Sequence, residues 1–243
     1  MTTVLKLGGS VITRKDTPET VDEDALERAA ETLAGMEDRL VVVHGAGSFG
    51  HHYAAKHGIS KAEGTHDDGA IREIHGSMKR LNSAVIEALA ATGVPALPIH
   101  PLSAAARTKD GTLRIEADTV DTMLVEGLVP VFHGDVVVHE NEGATILSGD
   151  ELVVWLAEAL SADRIGLCSS VSGVYDTEEN VIERIGSFEE VVDAVGESDE
   201  TDVTGGMAGK VRALLSIDAP ASVFGPEGLE SFVAGDDPGT RIE

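Results

Sequence analysis

The stretch Leu40-Val41-Val42-Val43-His44-Gly45-Ala46-Gly47-Ser48-Phe49-Gly50-His51 decides how this chain is read. A short apolar run ending at Val43 marks a strand buried on both faces. The glycines after it make a turn in which backbone N–H groups can approach an anion with no Cβ in the way. Gly45, Gly47 and Gly50 satisfy G-x-G-x-x-G, which alone would suggest a dinucleotide site. The following sequence argues otherwise. Such a unit runs through a full helix into a second strand carrying an acidic residue about 20 positions later. Here a helix after Gly50 would soon meet Gly58 and Gly64, in polar sequence without a strand pattern.

Outward from that stretch, the same arrangement occurs at the start of the chain, where Val4-Leu5 leads into Lys6-Leu7-Gly8-Gly9-Ser10. Two such turns, one carrying Lys6 and the other closed by His51, suit a site that holds two phosphate groups at once. Phosphoryl transfer has that requirement. A P-loop is excluded, because Gly209-Lys210 is followed by Val211 and position 204 is not glycine. Ser148-Gly149-Asp150 opens a helix over Glu151–Leu160, with Ser148 suited to the N-cap and Asp150 able to hold phosphate-binding lysines in place. In Asp202-Val203-Thr204-Gly205-Gly206-Met207-Ala208-Gly209-Lys210, glycines precede a helix over Met207–Leu215. A helix start exposes N–H groups to anions, and Lys210 is one turn in. His44, His51, His52 and His57 fall close together, but no H-E-x-x-H or cysteine pair completes a metal site, and no metal ligands are expected. His44, ending a strand, suits a backbone carbonyl; His51 suits a ligand.

Strand-like runs recur at Thr3–Leu7, Leu40–Val43, Pro95–Ile99, Leu128–Phe132, Arg164–Cys168 and Ala221–Phe224. Helical patterns lie between several of them: Ala25, Leu26, Ala29, Ala30 and Leu33; Leu81, Val85 and Leu89; Leu152, Leu156 and Ala159. Strands alternating with helices imply a mostly parallel sheet covered on both faces. Val136–Leu147 reads instead as a β-hairpin beside that sheet, and Glu197–Asp202 as a solvated loop. Nothing divides the 243 residues, so one large α/β domain over 1–243 is expected.

The net charge of −25, from 43 acidic and 18 basic residues, disfavours nucleic acid and anionic membrane as partners. A hydrophobic content of 42% rules against disorder. With only seven lysines and 3% aromatic residues, the acid-rich surface fits a salt-loving cytoplasm. Three of those lysines, Lys6, Lys15 and Lys210, lie in or near glycine motifs. The single cysteine, Cys168, lies in an apolar run and reads as a core residue. No apolar run approaches the ~18 residues of a membrane span and no signal pattern is visible, so a cytoplasmic protein is expected.

In order, K-L-G-G-S, H-G-A-G-S-F-G-H, S-G-D, G-V-Y and T-G-G-M-x-x-K resemble the amino acid kinase family over almost the whole chain. His51 after G-S-F-G, Arg80-Leu81-Asn82 with Val85 and Leu89, and Gly93-Val94-Pro95-Ala96 resemble the subgroup whose acceptor is isopentenyl phosphate. The resemblance implies a three-layer αβα sandwich with an open, mostly parallel central sheet. It puts the acceptor in about 1–147 and ATP in about 148–243, and implies a homodimer using ATP and Mg²⁺.

Residue by residue, the resemblance gives catalytic roles to Lys6, Lys15, His51 and Asp150. Acceptor contacts fall to Ala46, Gly47, His51 and Gly134. ATP contacts fall to Lys6, Gly8, Gly9, Ser10, Gly47, Ser169, Ser170, Gly173, Val174, Gly206 and Lys210. An apolar-rich helix with Ile71, Ile74, Met78 and Leu81 is expected to line a tail pocket. Ser172 stands where the family often has Asp, and the sequence leaves open whether Asp176 substitutes. A kinase for another small phosphate or phosphonate, of the fosfomycin type, and a non-catalytic binding module are the other readings.

Overall fold

The structure is a computed structural model and describes residues 1–195 and 206–243. The reading of Glu197–Asp202 as a solvated loop, and the Asp202–Gly205 part of the last glycine motif, fall outside the described residues.

In chain order the elements are β1 (Thr2–Leu7), α1 (Gly9–Ile12), α2 (Glu23–Leu33), β2 (Arg39–His44), α3 (Gly47–His57), α4 (Asp68–Ala91), β3 (Ala96–Pro98) and α5 (Pro101–Ala104). Next come β4 (Ala105–Arg107), β5 (Leu113–Ile115), α6 (Ala117–Val125), β6 (Val129–His133), β7 (Asp135–His139), β8 (Gly143–Leu147) and α7 (Gly149–Ala159). The chain continues through β9 (Arg164–Cys168), β10 (Arg184–Ile185), α8 (Val192–Val195), α9 (Gly206–Leu215), β11 (Ala221–Phe224), α10 (Leu229–Val233) and β12 (Thr240–Ile242).

Eight strands form one sheet in the order β10-β12-β11-β9-β1-β2-β6-β3, parallel throughout except where β12 runs against β11. Alternation along the strands builds two cores. Val4, Val41 and Val43 face α6, α7 and α9, while Leu5, Leu7, Leu40 and Val42 face α2, α4 and α10. The three-layer αβα sandwich is therefore the observed fold.

The predicted hairpin is present as β7 and β8, antiparallel from Asp135↔Leu147 to His139↔Gly143. It belongs to a second, four-stranded sheet with β4 and β5 that the sequence pattern does not show. Two further corrections concern local structure. Gly8-Gly9-Ser10 and Gly47–His51 are not open turns: each glycine turn passes at once into a helix, α1 and α3. Of the helix expected to line a tail pocket, Leu81 is wholly buried against the sheet and Ile71 packs in a satellite cluster, which leaves Ile74 and Met78 for the cleft.

Candidate active site

Parallel strands in the order β9-β1-β2-β6 all end on the same edge, so motifs far apart in sequence become neighbours there. Leu7 is in register with both His44 and Cys168, and His44 with His133. Beyond the strand ends the hydrogen bonding continues: Gly8 N–H to Cys168 O at 2.8 Å, Gly45 N–H to Leu7 O at 2.9 Å, Gly134 N–H to His44 O at 3.1 Å.

The two glycine motifs touch. A Cβ on Gly9 would lie 2.1 Å from Gly47 N and 2.6 Å from Gly47 Cα, distances no side chain tolerates. Gly47 itself has φ of +50°, in the left-handed region that favours glycine. The Thr13 hydroxyl ties the motifs together, donating to Gly9 O at 2.7 Å and accepting from Ser48 N–H at 3.0 Å.

Over this edge lies a cleft of about 670 Å³. It brings together Lys6, Gly8, Gly9, Ser10, Lys15, Ala46, Gly47, His51, Gly134, Asp150, Ser169 and Lys210 among the residues singled out in the sequence. Ser170, Gly173, Val174 and Gly206 do not line it. Ser170 is exposed, Gly173 and Val174 are buried, and the Val174 N–H donates to the Thr240 hydroxyl at 2.8 Å. Apolar side chains line the cleft as well, those of Ala54, Ile74, Met78, Ile146 and Leu147.

At its centre Lys6 Nζ donates to Asp150 Oδ1 at 2.6 Å, both side chains largely buried. Burial lowers the Lys6 pKa; Asp150 raises it, nearby Lys210 lowers it, and the net shift is downward. For Asp150 burial acts upward, but the charges of Lys6 and Lys210 outweigh it and hold the carboxyl below its usual range. One carboxylate thus serves two lysines at the foot of the cleft. Asp150 stands there because Ser148 caps α7, its hydroxyl accepting from Glu151 N–H at 3.2 Å.

Sequence reasoning missed Asp135 in the cleft wall. Its carboxylate accepts from His75 Nδ1 at 2.7 Å and from Val136 N–H at 2.8 Å. Its local signal is a carboxylate heading the apolar run Val136-Val137-Val138. Asp176 turns back on its own loop, accepting from Glu178 and Asn180 N–H at 2.8 and 2.9 Å. The carboxylate beside Ser172 comes instead from Glu227, to which the Ser172 hydroxyl donates at 2.6 Å. Cys168 is buried, and burial, then the charge of Glu227, push its thiol up to about 12, which disfavours the reactive thiolate. Among the described residues no group of His, Cys, Asp and Glu could hold a metal ion.

A site of facing glycine loops and a buried lysine–carboxylate pair, on an open parallel sheet with no P-loop, defines a class of small-molecule kinases. The chain belongs to the amino acid kinase family, whose family model matches residues 1–217. It is 60% identical to the isopentenyl phosphate kinase of Haloferax volcanii, over 98% of this chain and 97% of that protein. It is 38% identical to the isopentenyl phosphate kinase of Methanothermobacter thermautotrophicus, over 87% and 85%. A solved structure of isopentenyl phosphate kinase superposes with a TM-score of 0.85 at 31% identity, covering all of both chains.

Proposed function

We propose that the chain transfers the γ-phosphoryl group of ATP to isopentenyl phosphate, giving isopentenyl diphosphate and ADP. The observation that carries this reading is one cleft lined both by the glycine–lysine motifs and by apolar Ile74, Met78 and Ile146. A monophosphate with a short hydrocarbon tail matches that mixed lining, and the kinship to isopentenyl phosphate kinases supports it. Neither acetylglutamate nor a nucleoside monophosphate has such a tail.

An acceptor phosphate is already ionised, so no strong general base is needed; the task is to align two anions and offset their repulsion. An acceptor oxygen bonds to the γ-phosphorus as the bond to the β,γ-bridging oxygen breaks, and ADP leaves with that electron pair. Lys6, Lys15 and Lys210 supply positive charge, and Asp150 holds Lys6 and Lys210 in place. Gly8, Gly9, Ser10 and Gly47 offer backbone close to the transferred group. His51, with Ala46 and Gly134, takes the acceptor phosphate, and Ser169 lies on the nucleotide side. The residues present suit a Mg²⁺ ion carried by the nucleotide phosphates rather than by a protein cage, where it would offset phosphate charge. The acceptor thus belongs to about 1–147 and ATP to about 148–243. A cytoplasmic homodimer completes the reading; the family resemblance supports the dimer and the acid-rich composition supports a salt-rich cytoplasm.

Purified protein with Mg-ATP in molar KCl tests the assignment. Isopentenyl phosphate is expected to turn over faster than acetylglutamate, UMP or fosfomycin, and a faster rate with any of the three would overturn it.

A further inference from the structure

The dipeptide His-Gly ends two neighbouring strands, β2 and β6, and in both the imidazole turns back onto the glycine that follows it. His44 Nδ1 lies 3.1 Å from Gly45 O, and His133 Nδ1 lies 2.9 Å from Gly134 O. A carbonyl oxygen only accepts, so Nδ1 carries the proton in each ring. His44 is completely buried, and burial brings its pKa down to about 4. The ring is therefore neutral and its Nε2 is an acceptor. The Asn82 amide places Oδ1 3.0 Å from Nε2 and leaves its NH₂ without a partner. Its oxygen and nitrogen exchange by a half-turn, and only the NH₂ bonds to an acceptor. His133 Nε2 is braced in the same sense by His100 Nδ1–H at 2.9 Å.

The held carbonyl has a consequence on the other side of the peptide. In a trans peptide the C=O and the next N–H point in opposite directions. With Gly45 O kept against His44, the Ala46 N–H is turned away from the buried ring, and Ala46 lines the cleft. That N–H has no protein acceptor among the described residues. A Cβ built on Gly134 would lie 3.5 Å from Leu147 O, 3.6 Å from Gly149 N and 3.9 Å from Ala46 N, so two backbone nitrogens and one carbonyl oxygen surround this face of Gly134. His44 controls both sides of this hollow, since its own carbonyl accepts the Gly134 N–H while its ring holds Gly45. Glycine at 45 has no Cβ of its own to restrict the orientation of the peptide that follows it. A flipped Gly45–Ala46 peptide would present a carbonyl oxygen to an incoming phosphate instead of a donor.

We propose that His44, braced by Asn82, is a positioning residue that locks the Gly45–Ala46 peptide so that the Ala46 N–H is presented to the acceptor phosphate. The inference rests on the proposed placing of that phosphate beside Ala46. Steady-state kinetics on wild type, His44→Leu and His44→Asn test it. Leucine fills the space without a donor, whereas the asparagine amide nitrogen falls near the place of Nδ1 and keeps the bond to Gly45 O.

His44→Leu is expected to raise KM for isopentenyl phosphate about tenfold or more while KM for ATP stays within about twofold, and His44→Asn to recover most of the loss. A role in packing alone predicts the reverse order, because leucine suits a buried site better than asparagine. That order, or an unchanged KM in a folded His44→Leu, overturns the proposal. Should His44→Leu not fold, the Ala46 amide of ¹⁵N-labelled wild type decides: it shifts downfield on titration with isopentenyl phosphate, and an unmoved resonance at saturation refutes the inference. If wild type binds isopentenyl phosphate without turning it over, the proposed reaction fails. The same amide followed with inorganic phosphate then tests the positioning on its own.

Discussion

His51 lies on the second turn of α3 in the wall of the cleft, where its ring is exposed. A hydrogen bond to a charged group contributes about 1.5–3 kcal/mol, so His51→Ala is expected to lower kcat/KM for isopentenyl phosphate roughly 10–150-fold. KM for ATP should move little, and His51→Gln, which keeps a donor, should retain more activity. If His51 only supported the fold, the alanine variant would melt lower and keep wild-type kinetics per folded molecule; measuring both on one preparation decides. At this scale the sequence was legible wherever function is written into a local motif. Lys6 sits in K-L-G-G-S and Asp150 in S-G-D, and the structure brings them to 2.6 Å. It was illegible where partners come from separate elements. His44, His75, His100 and His133 are spread over β2, α4, the start of α5 and β6, with no spacing to tie them. The one local trace of that network is His-Gly repeated after two apolar strands.

Among elements, the contact between the start of α1 and the start of α3 is the most demanding. A methyl group on Gly9 would meet backbone atoms of Gly47 rather than a flexible side chain, so neither partner can yield. Overpacking of this kind costs on the order of 1–3 kcal/mol or more. Gly9→Ala is expected to lower the melting temperature by several degrees and to remove ATP turnover, because both glycine loops must shift apart. A circular-dichroism melt beside a coupled assay reads both effects, and a variant with wild-type turnover would show that the loops need not touch. The long strands were legible from continuous apolar runs. The start of α3 was not, since three glycines in Gly45–Gly50 argue against helix by propensity. The tertiary bonds of Thr13 prevail over that preference. The other half of the side sheet was missed because β4 and β5 have three residues each, too few to show a period.

Over the whole molecule, a charge of −25 sets the conditions under which the fold holds. Raising salt from 0.1 to 1 M shortens the screening length from ~10 to ~3 Å and weakens the mutual repulsion of the carboxylates. The melting temperature and activity are expected to rise together between low and molar KCl, and a flat melting temperature across that range would refute the salt adaptation. The 60% identical relative in Haloferax volcanii, a halophilic archaeon, accords with it.

The central position of β1 carries a different consequence, one for synthesis. Of the strands in this sheet it is made earliest, yet its second neighbour is β9, and the Thr2 N–H finds its acceptor on Asp163, 161 positions later. At roughly 5–20 residues per second, one edge of the innermost strand stays unpaired for on the order of ten seconds of translation. Lys6 waits in the same way for Asp150, 144 positions later. The Lys6–Asp150 pair can form only once α7 has been made, so a nascent chain truncated before it holds both glycine loops without that pair of charges.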